Sequence, residues 1–300
     1  MKERLTRQEN LYAIDGLRLS DGPILLAEIG SGHPIVAVTA AMHGNEEMGV
    51  FVLDTLRKTV KPEKGTIRLI VANPLALFND KRFLYDDLNR AFPGEKGSKG
   101  ERGLAPKILE LVGDSDYTID LHTTRAPMDS IVIVNKKDPQ RVALAEATGI
   151  QKIVYIPRQK DYALIDFVRC GVGIELSTQN NDAYKEGLTA VKNILISLGI
   201  TKDEGREERT VSHEYYQLIG SLPQPFFAQA ELLPEVKNFK QISKGQSFGQ
   251  VSYEGTVMNQ AERTYLYAEE DFYTVFAGET TYTGILCLKA KRISREEMVK

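Results

Sequence analysis

Along the first two hundred residues, apolar runs of strand length alternate with segments of helical period, and few architectures accept that alternation. The runs IVAVTAAM (Ile35 to Met42), TIRLIVAN (Thr66 to Asn73), YTIDLHT (Tyr117 to Thr123), SIVIVN (Ser130 to Asn135) and GIEL (Gly173 to Leu176) are apolar on both faces, as interior parallel or mixed strands are. Between them, ERGLAPKILELVG sets Leu104, Ile108 and Leu111 on one helical face. YKEGLTAVKNILISLG does the same with Leu188, Val191, Leu195 and Leu198 ahead of a terminating Gly199. The pattern predicts an α/β sandwich over residues 1–200. The charged stretch TKDEGREERT (Thr201 to Thr210) reads as a linker. Beyond it, TYLYAEEDFYTVFAG and TGILCLKAK, set among glycine turns, predict a smaller β-rich C-terminal domain over 201–300.

With a net charge of −3 over 300 residues, the bulk electrostatics favour neither nucleic acid nor an anionic membrane, and a small solute is the expected partner. Two cysteines, Cys170 and Cys287, allow no disulfide framework, and both sit in apolar surroundings that suit packing thiols. No run approaches the roughly 20 apolar residues of a membrane span, and the N-terminus lacks the apolar core of a signal peptide. A cytoplasmic protein is expected, and a homo-oligomer is compatible with this composition.

Chemistry-bearing residues cluster where these strands end. In AVTAAMHGNEEMGV, a buried run stops at His43, with Glu46 and Glu47 where a helix should start. Imidazole and carboxylate three apart converge on one point as a strand turns into a helix. A segment that merely caps the helix, with Asn45 near the cap and the glutamates at the positive helix end, explains the same quartet equally well. A second run ends in His122, with Asp120 two residues earlier on the same pleated face. Two such strands would complete a two-His, one-carboxylate zinc site with one position open to water. Asp120 then either orients a ligand imidazole or is a buried structural aspartate. Glu175 ends a very apolar strand, where a carboxylate is costly to bury without a task, such as general base, or a partner arginine. In KRFLYDDLNRAFPG, Arg90 offers a planar fork for a carboxylate and Arg82 a cation for a carbonyl oxygen, although a solvated loop with Asp86 and Asp87 pairing internally accounts for the composition. His33, in a GSGHP turn, and His213, after the linker, read as surface or turn residues.

Taken in order, HGNE, DLNRAFPG, DLHTT and GIELS closely resemble the succinylglutamate desuccinylase and aspartoacylase family, a branch of the zinc carboxypeptidase-like hydrolases. The likeness spans residues 25 to 180 and, loosely, the β domain, where FAGETTY (Phe276 to Tyr282) looks like the family's segment with a glutamate and a substrate-facing tyrosine. It implies a mixed-sheet, carboxypeptidase-like α/β/α sandwich with one zinc per chain, held by His43, Glu46 and His122. It further implies Glu175 as general base and proton shuttle and Arg82 as oxyanion stabiliser. Asn89 and Arg90 would hold a substrate carboxylate, with Tyr282 closing the pocket.

The implied activity is hydrolysis of the amide of a small N-acylated amino acid or related amine. A metallocarboxypeptidase acting on short peptides would use the same groups, though an overhanging β domain restricts access. A metal-bearing binding module without turnover would need neither Glu175 nor Arg82. No H-E-x-x-H occurs. One departure bears on substrate: aspartoacylases carry an arginine about ten residues before the glutamate of GIE, and that position here lies near Ile165, with Arg158, Lys160 and Arg169 only in the neighbourhood. Aspartate specificity therefore does not carry over, and a neutral or basic side chain fits as well.

Overall fold

The computed structural model describes residues 6–202, 211–221, 228–253, 262–281 and 284–300. The elements run α1 (Arg7–Tyr12), β1 (Ile24–Ser31), β2 (Ile35–Ala40), α2 (Met48–Thr59), β3 (Gly65–Val71), α3 (Pro74–Phe78), α4 (Glu101–Val112), β4 (Tyr117–Thr124), β5 (Ile131–Val134), α5 (Pro139–Ala147), β6 (Lys152–Tyr155), β7 (Gly171–Ser177) and α6 (Ala183–Ser197). The C-terminal region adds β8 (Glu214–Ser221), β9 (Ala228–Leu232), β10 (Gln241–Ile242), β11 (Ser247–Tyr253), β12 (Glu262–Tyr267), β13 (Phe272–Thr281), β14 (Gly284–Ile293) and α7 (Arg295–Met298). No helix among the described residues is long and apolar enough to cross a membrane.

One mixed sheet runs β1-β3-β2-β4-β7-β5-β6-β8-β14-β13-β10. Strands β3, β2, β4 and β7 are mutually parallel, and β5 turns antiparallel against β7. All six residues of β2 are buried, which explains its unbroken apolar run. Its side chains still alternate: Val36, Val38 and Ala40 enter a core beneath α2 and α6, while Ala37 enters a second core with Leu104 and Ile108 of α4. A sheet with helices packed on both faces is the predicted α/β/α sandwich.

Helix α6 buries Ala183, Gly187, Ala190, Val191, Ile194 and Leu195, a stripe turned toward the small residues rather than through Leu188 and Leu198. The cause is close packing. A Cβ on Gly187 would stand 2.6 Å from Leu176 of β7, so the helix lies nearer the sheet there than a bulkier face permits. Gly199, at φ +64°, follows the helix as expected of its terminator.

The C-terminal strands divide between the main sheet and a small one of their own. β8 pairs parallel with β6, and β14, β13 and β10 continue the same sheet outward, while β12-β11-β9 form a separate small sheet. Of the expected linker, residues 203–210 lie outside the described residues.

Candidate metal and hydrolytic site

The carboxyl ends of three adjacent parallel strands, β2, β4 and β7, meet at one place, the edge where α/β sheets keep their sites. After β2 the chain bends at Ala41, whose φ of +54° is unusual for a residue with a Cβ and marks backbone strain beside the site. Gly44 then packs so closely against the backbone of Ala76 that no side chain fits, and its N–H donates to the Arg82 carbonyl at 3.1 Å. The Glu46 N–H donates to the His43 carbonyl, closing the turn that points both side chains the same way. Glu46 thus lies in this turn and not on the helix expected to carry it; α2 starts at Met48, with Glu47 as its cap residue.

His43 and Glu46 are buried, as is His122 near the end of β4. His43 Nδ1 lies 2.7 Å from Glu46 Oε1, and His122 Nδ1 lies 3.1 Å from Glu46 Oε2. One ligand atom from each of the three residues falls within 4.8 Å of the others. The far nitrogens face outward onto carboxylates: His43 Nε2 is 3.1 Å from Asp87 Oδ1, and His122 Nε2 is 2.8 Å from Asp120 Oδ2. Asp120 is itself fixed by the Thr39 hydroxyl at 2.6 Å. When each Nε2–H is donated outward, both Nδ1 lone pairs face Glu46, the carboxylate–imidazole arrangement that orients metal-binding histidines.

Burial alone would keep both imidazoles neutral, yet the surrounding carboxylates raise the basicity of each, His122 strongly. The imidazoles in turn overcome burial to hold Glu46, and Asp87 with the help of Arg82, well below the usual carboxylate range. Three buried or half-buried carboxylates around two imidazoles form a cradle that calls for a cation. A borderline-soft divalent ion with mixed N/O preference fits this donor set.

Glu175 on β7 sits beside His122 in the sheet register. Burial pushes its carboxyl up to about 7, with Glu46 adding to the shift and His122 opposing it. Arg82 pairs with Asp87 at 3.1 Å and approaches Glu46 at 3.6 Å. Asn89 reaches His122 Nε2 with its amide nitrogen at 3.3 Å and accepts from the Leu164 N–H at 3.2 Å. Arg90 is exposed and lies over the Tyr162 ring, 4.8 Å from its centroid. His43, Glu46, Glu175, Arg82, Asn89 and Arg90 all line one cavity of about 1250 Å³. Tyr282 lies outside the described residues.

Two residues emerge that the sequence pattern did not single out. Asp87 pairs inside its loop with Arg82, as expected, but also reaches His43 and accepts from the Asn89 N–H. Glu101, at the start of α4, is buried and accepts from the N–H groups of Leu84, Tyr85 and Asp86 at 2.7, 3.1 and 3.2 Å and from the Asn73 amide at 3.2 Å. It thereby pins the loop between Arg82 and Asp87. Nothing in its charged surroundings distinguishes it, because its partners are distant in the chain or are backbone groups. Arg158, expected only in the neighbourhood, lines the cavity as well, whereas His33 pairs with Asp116 at 2.7 Å, His213 contacts the Ile150 carbonyl, and burial holds the Cys170 and Cys287 thiols at about 11 and about 12.

Residues 33–198, more than half of the chain, match the family described as the Succinylglutamate desuccinylase/Aspartoacylase catalytic domain. A probable aspartoacylase of Prochlorococcus marinus strain NATL2A is 28% identical over 159 residues, which cover 47% of this chain and 52% of that protein. An N-acyl-aromatic-L-amino acid amidohydrolase (carboxylate-forming) of Xenopus laevis is 22% identical over 225 residues, 66% of this chain and 74% of that one. The chain spans about half the length of the aspartoacylase relatives it matches. The solved structure of a succinylglutamate desuccinylase from Silicibacter sp. TM1040 superposes with a TM-score of 0.70 at 16% identity, covering 89% of this chain and 88% of that one, so the shared fold extends beyond the matched segment.

Proposed function

The chain belongs to the succinylglutamate desuccinylase/aspartoacylase catalytic family, and from that premise we propose that it is a zinc-dependent amidohydrolase, cleaving a small N-acylated amino acid or related N-acyl amine into a carboxylate and a free amine. The family is hydrolytic, and the relatives named above include an amidohydrolase of acylated amino acids. The observation that carries the reading is the convergence of the His43 and His122 Nδ1 atoms on the two oxygens of Glu46, with both far nitrogens tethered to carboxylates.

Zinc held by His43, Glu46 and His122 would supply a Lewis acid that makes water a nucleophile near neutral pH. Glu175 takes the proton from the attacking water and returns it to the leaving nitrogen as the C–N bond breaks and a C–O bond forms. A carboxyl raised by burial suits both halves of that exchange. Arg82, poised between Glu46 and Asp87, polarises the amide oxygen and stabilises the charge that collects on it. Arg90 receives the substrate carboxylate, and Asn89, already bonded to Leu164 and close to His122, holds the rim of that subsite in place. In the same proposal, residues 1–200 carry the chemistry, residues 201–300 close over it, and Tyr282 completes the carboxylate subsite. Amine release from N-acetyl, N-succinyl and N-formyl amino acids, measured with and without a chelator, tests this. Release that a chelator abolishes and zinc restores supports it, whereas chelator-resistant release removes the metal from the reaction.

A further inference from the structure

The chemistry above uses only part of the cavity. Across β7, on the side toward the C-terminal strands, six apolar side chains line it: Ile133 of β5, Ile156 just after β6, Leu218 and Ile219 of β8, Phe276 of β13 and Leu288 of β14. Ile133, Leu218 and Phe276 are at most 9% exposed and belong to one core cluster, with Ile156 and Leu288 packed against it. The wall is therefore a face of a packed core, stiff and preformed, rather than scattered surface hydrocarbon.

Phe276 is held there at a conformational cost. Its φ is +57°, and the register of β13 against β14 shifts between Val275 and Glu279, around it. Bulges re-aim side chains beside sites, and an aromatic residue in the left-handed region persists only where its surroundings over-determine it. A glycine or asparagine would relieve that strain, so the ring itself is what the position retains.

The charges of the cavity point the same way. Arg82 is paired with Asp87. Arg158 is paired with the buried Asp166, which also accepts from the Tyr162 and Ala163 N–H groups at 3.0 and 2.8 Å, and its guanidinium stacks 4.6 Å above the Tyr162 ring. Among the described residues, Arg90 is the cavity arginine without an ion-pair partner. One cation free of a direct ion pair serves one carboxylate, and a second carboxylate turned toward the wall would be buried against hydrocarbon. The opposing feature is Arg158 Nε, which is buried without a hydrogen-bond partner among the described residues.

We propose that the substrate carries a single carboxylate and, on its acyl or its amino-acid side, an uncharged apolar group that packs on the wall of Ile133, Ile156, Leu218 and Phe276. The proposal rests on the chain being an amidohydrolase, so its test includes a readout independent of turnover.

Zinc-loaded protein is assayed for amine release from N-acetyl-alanine, N-acetyl-leucine, N-acetyl-phenylalanine, N-hexanoyl-alanine and N-acetyl-aspartate, and the same compounds are titrated calorimetrically into zinc-loaded Glu175→Gln protein. At least one apolar compound is expected to exceed N-acetyl-alanine in kcat/KM by about tenfold or more, the gain that a few methylenes in an apolar pocket supply, with N-acetyl-aspartate below both. The leucine and phenylalanine arms against the hexanoyl arm identify which side carries the group. Phe276→Asn, which tolerates the left-handed backbone but removes a packed ring from the core and so lowers the melting temperature, should lose most of that preference in the folded protein; Ile156→Arg, placing a second unpaired cation on the wall, should turn the preference toward N-acetyl-aspartate. Absent turnover with tighter calorimetric binding of apolar compounds would remove the hydrolase and keep this inference. N-acetyl-aspartate as the best substrate or tightest ligand, or no discrimination by either readout, overturns it, and the first of these outcomes would assign Arg158 the second carboxylate.

Discussion

The two ends of the cavity are built on opposite principles. At the carboxyl ends of β2, β4 and β7, the groups around the candidate ligands hold one another: Thr39 fixes Asp120, Asp120 and Asp87 fix the two imidazoles, and both imidazoles face Glu46. At the end formed by β5, β8, β13 and β14, shape is set by packed hydrocarbon and one strained aromatic residue. The polar end specifies geometry to tenths of an ångström, as proton transfer and ion binding require. The apolar end specifies only volume and dryness. A chain built this way can hold its chemistry constant while what it accepts drifts with the C-terminal strands.

Substitutions at the polar end should therefore change metal content and kcat, and those at the apolar end should change discrimination. The largest effect is expected of His122→Ala, which deletes one of three proposed ligands. Dialysed protein should fall well below one zinc per chain, with a loss of affinity larger than the roughly 10–100-fold that an outer orienting partner contributes. Stoichiometric zinc by elemental analysis would show that the ligand set is wrong. Next is Glu175→Gln, expected to keep its zinc and lose roughly 10²–10⁴-fold in kcat, the span of general acid–base catalysis. An unchanged rate would leave the reaction without its assigned base and blur the contrast between the two ends.

How far these ends can be read from sequence differs for the same reason. Strands β2, β3, β4 and β7 are evident because both faces are buried and the apolar runs are unbroken. β1, an edge strand with half its residues open, gives no such run, and β6 is only four residues long. That β8 joins β6 and carries the main sheet onward is a pairing between segments sixty residues apart, which no local period encodes. At the polar end, His43, Glu46, His122 and Glu175 stand out because each interrupts an apolar strand end. Asp87 does not, since its partner His43 is 44 residues away and its own segment looks like a solvated loop. The apolar wall is the least legible part: Ile133, Leu218 and Phe276 look like any strand interior until the cavity opens beside them.

Arg90 lies where the two regimes meet, exposed on the Tyr162 ring and distant from the proposed ligands in role. Arg90→Ala removes charge-assisted hydrogen bonds worth about 1.5–3 kcal/mol, so KM for carboxylate-bearing substrates should rise roughly tenfold to a hundredfold with kcat nearly kept. A change confined to kcat would mean that Arg90 acts on the reacting amide, and the boundary between the ends would have to be redrawn.

The smallest effect, and the finest test of the contrast, is expected of Glu101→Gln. Oε1 of Glu101 accepts from the Leu84 N–H and the Asn73 amide, and Oε2 accepts from the N–H groups of Tyr85 and Asp86. A glutamine keeps one acceptor oxygen and presents an NH₂ where the other stood, so two donors lose their partner in a buried place, each at about 1–3 kcal/mol before the loop relaxes. The relaxation is the readout. Residues 84–86 connect Arg82 to Asp87, and Asp87 orients His43, so the variant should melt at a lower temperature, keep its zinc, and lose kcat by about tenfold or less. Discrimination between apolar and acidic substrates should stay as it was, because among the described residues the hydrogen bonds of Glu101 go to Asn73 and to residues 84–86 and not to the wall on β8 and β13. If instead discrimination shifts while kcat holds, the two ends are one coupled unit, and the division of labour drawn between them is wrong.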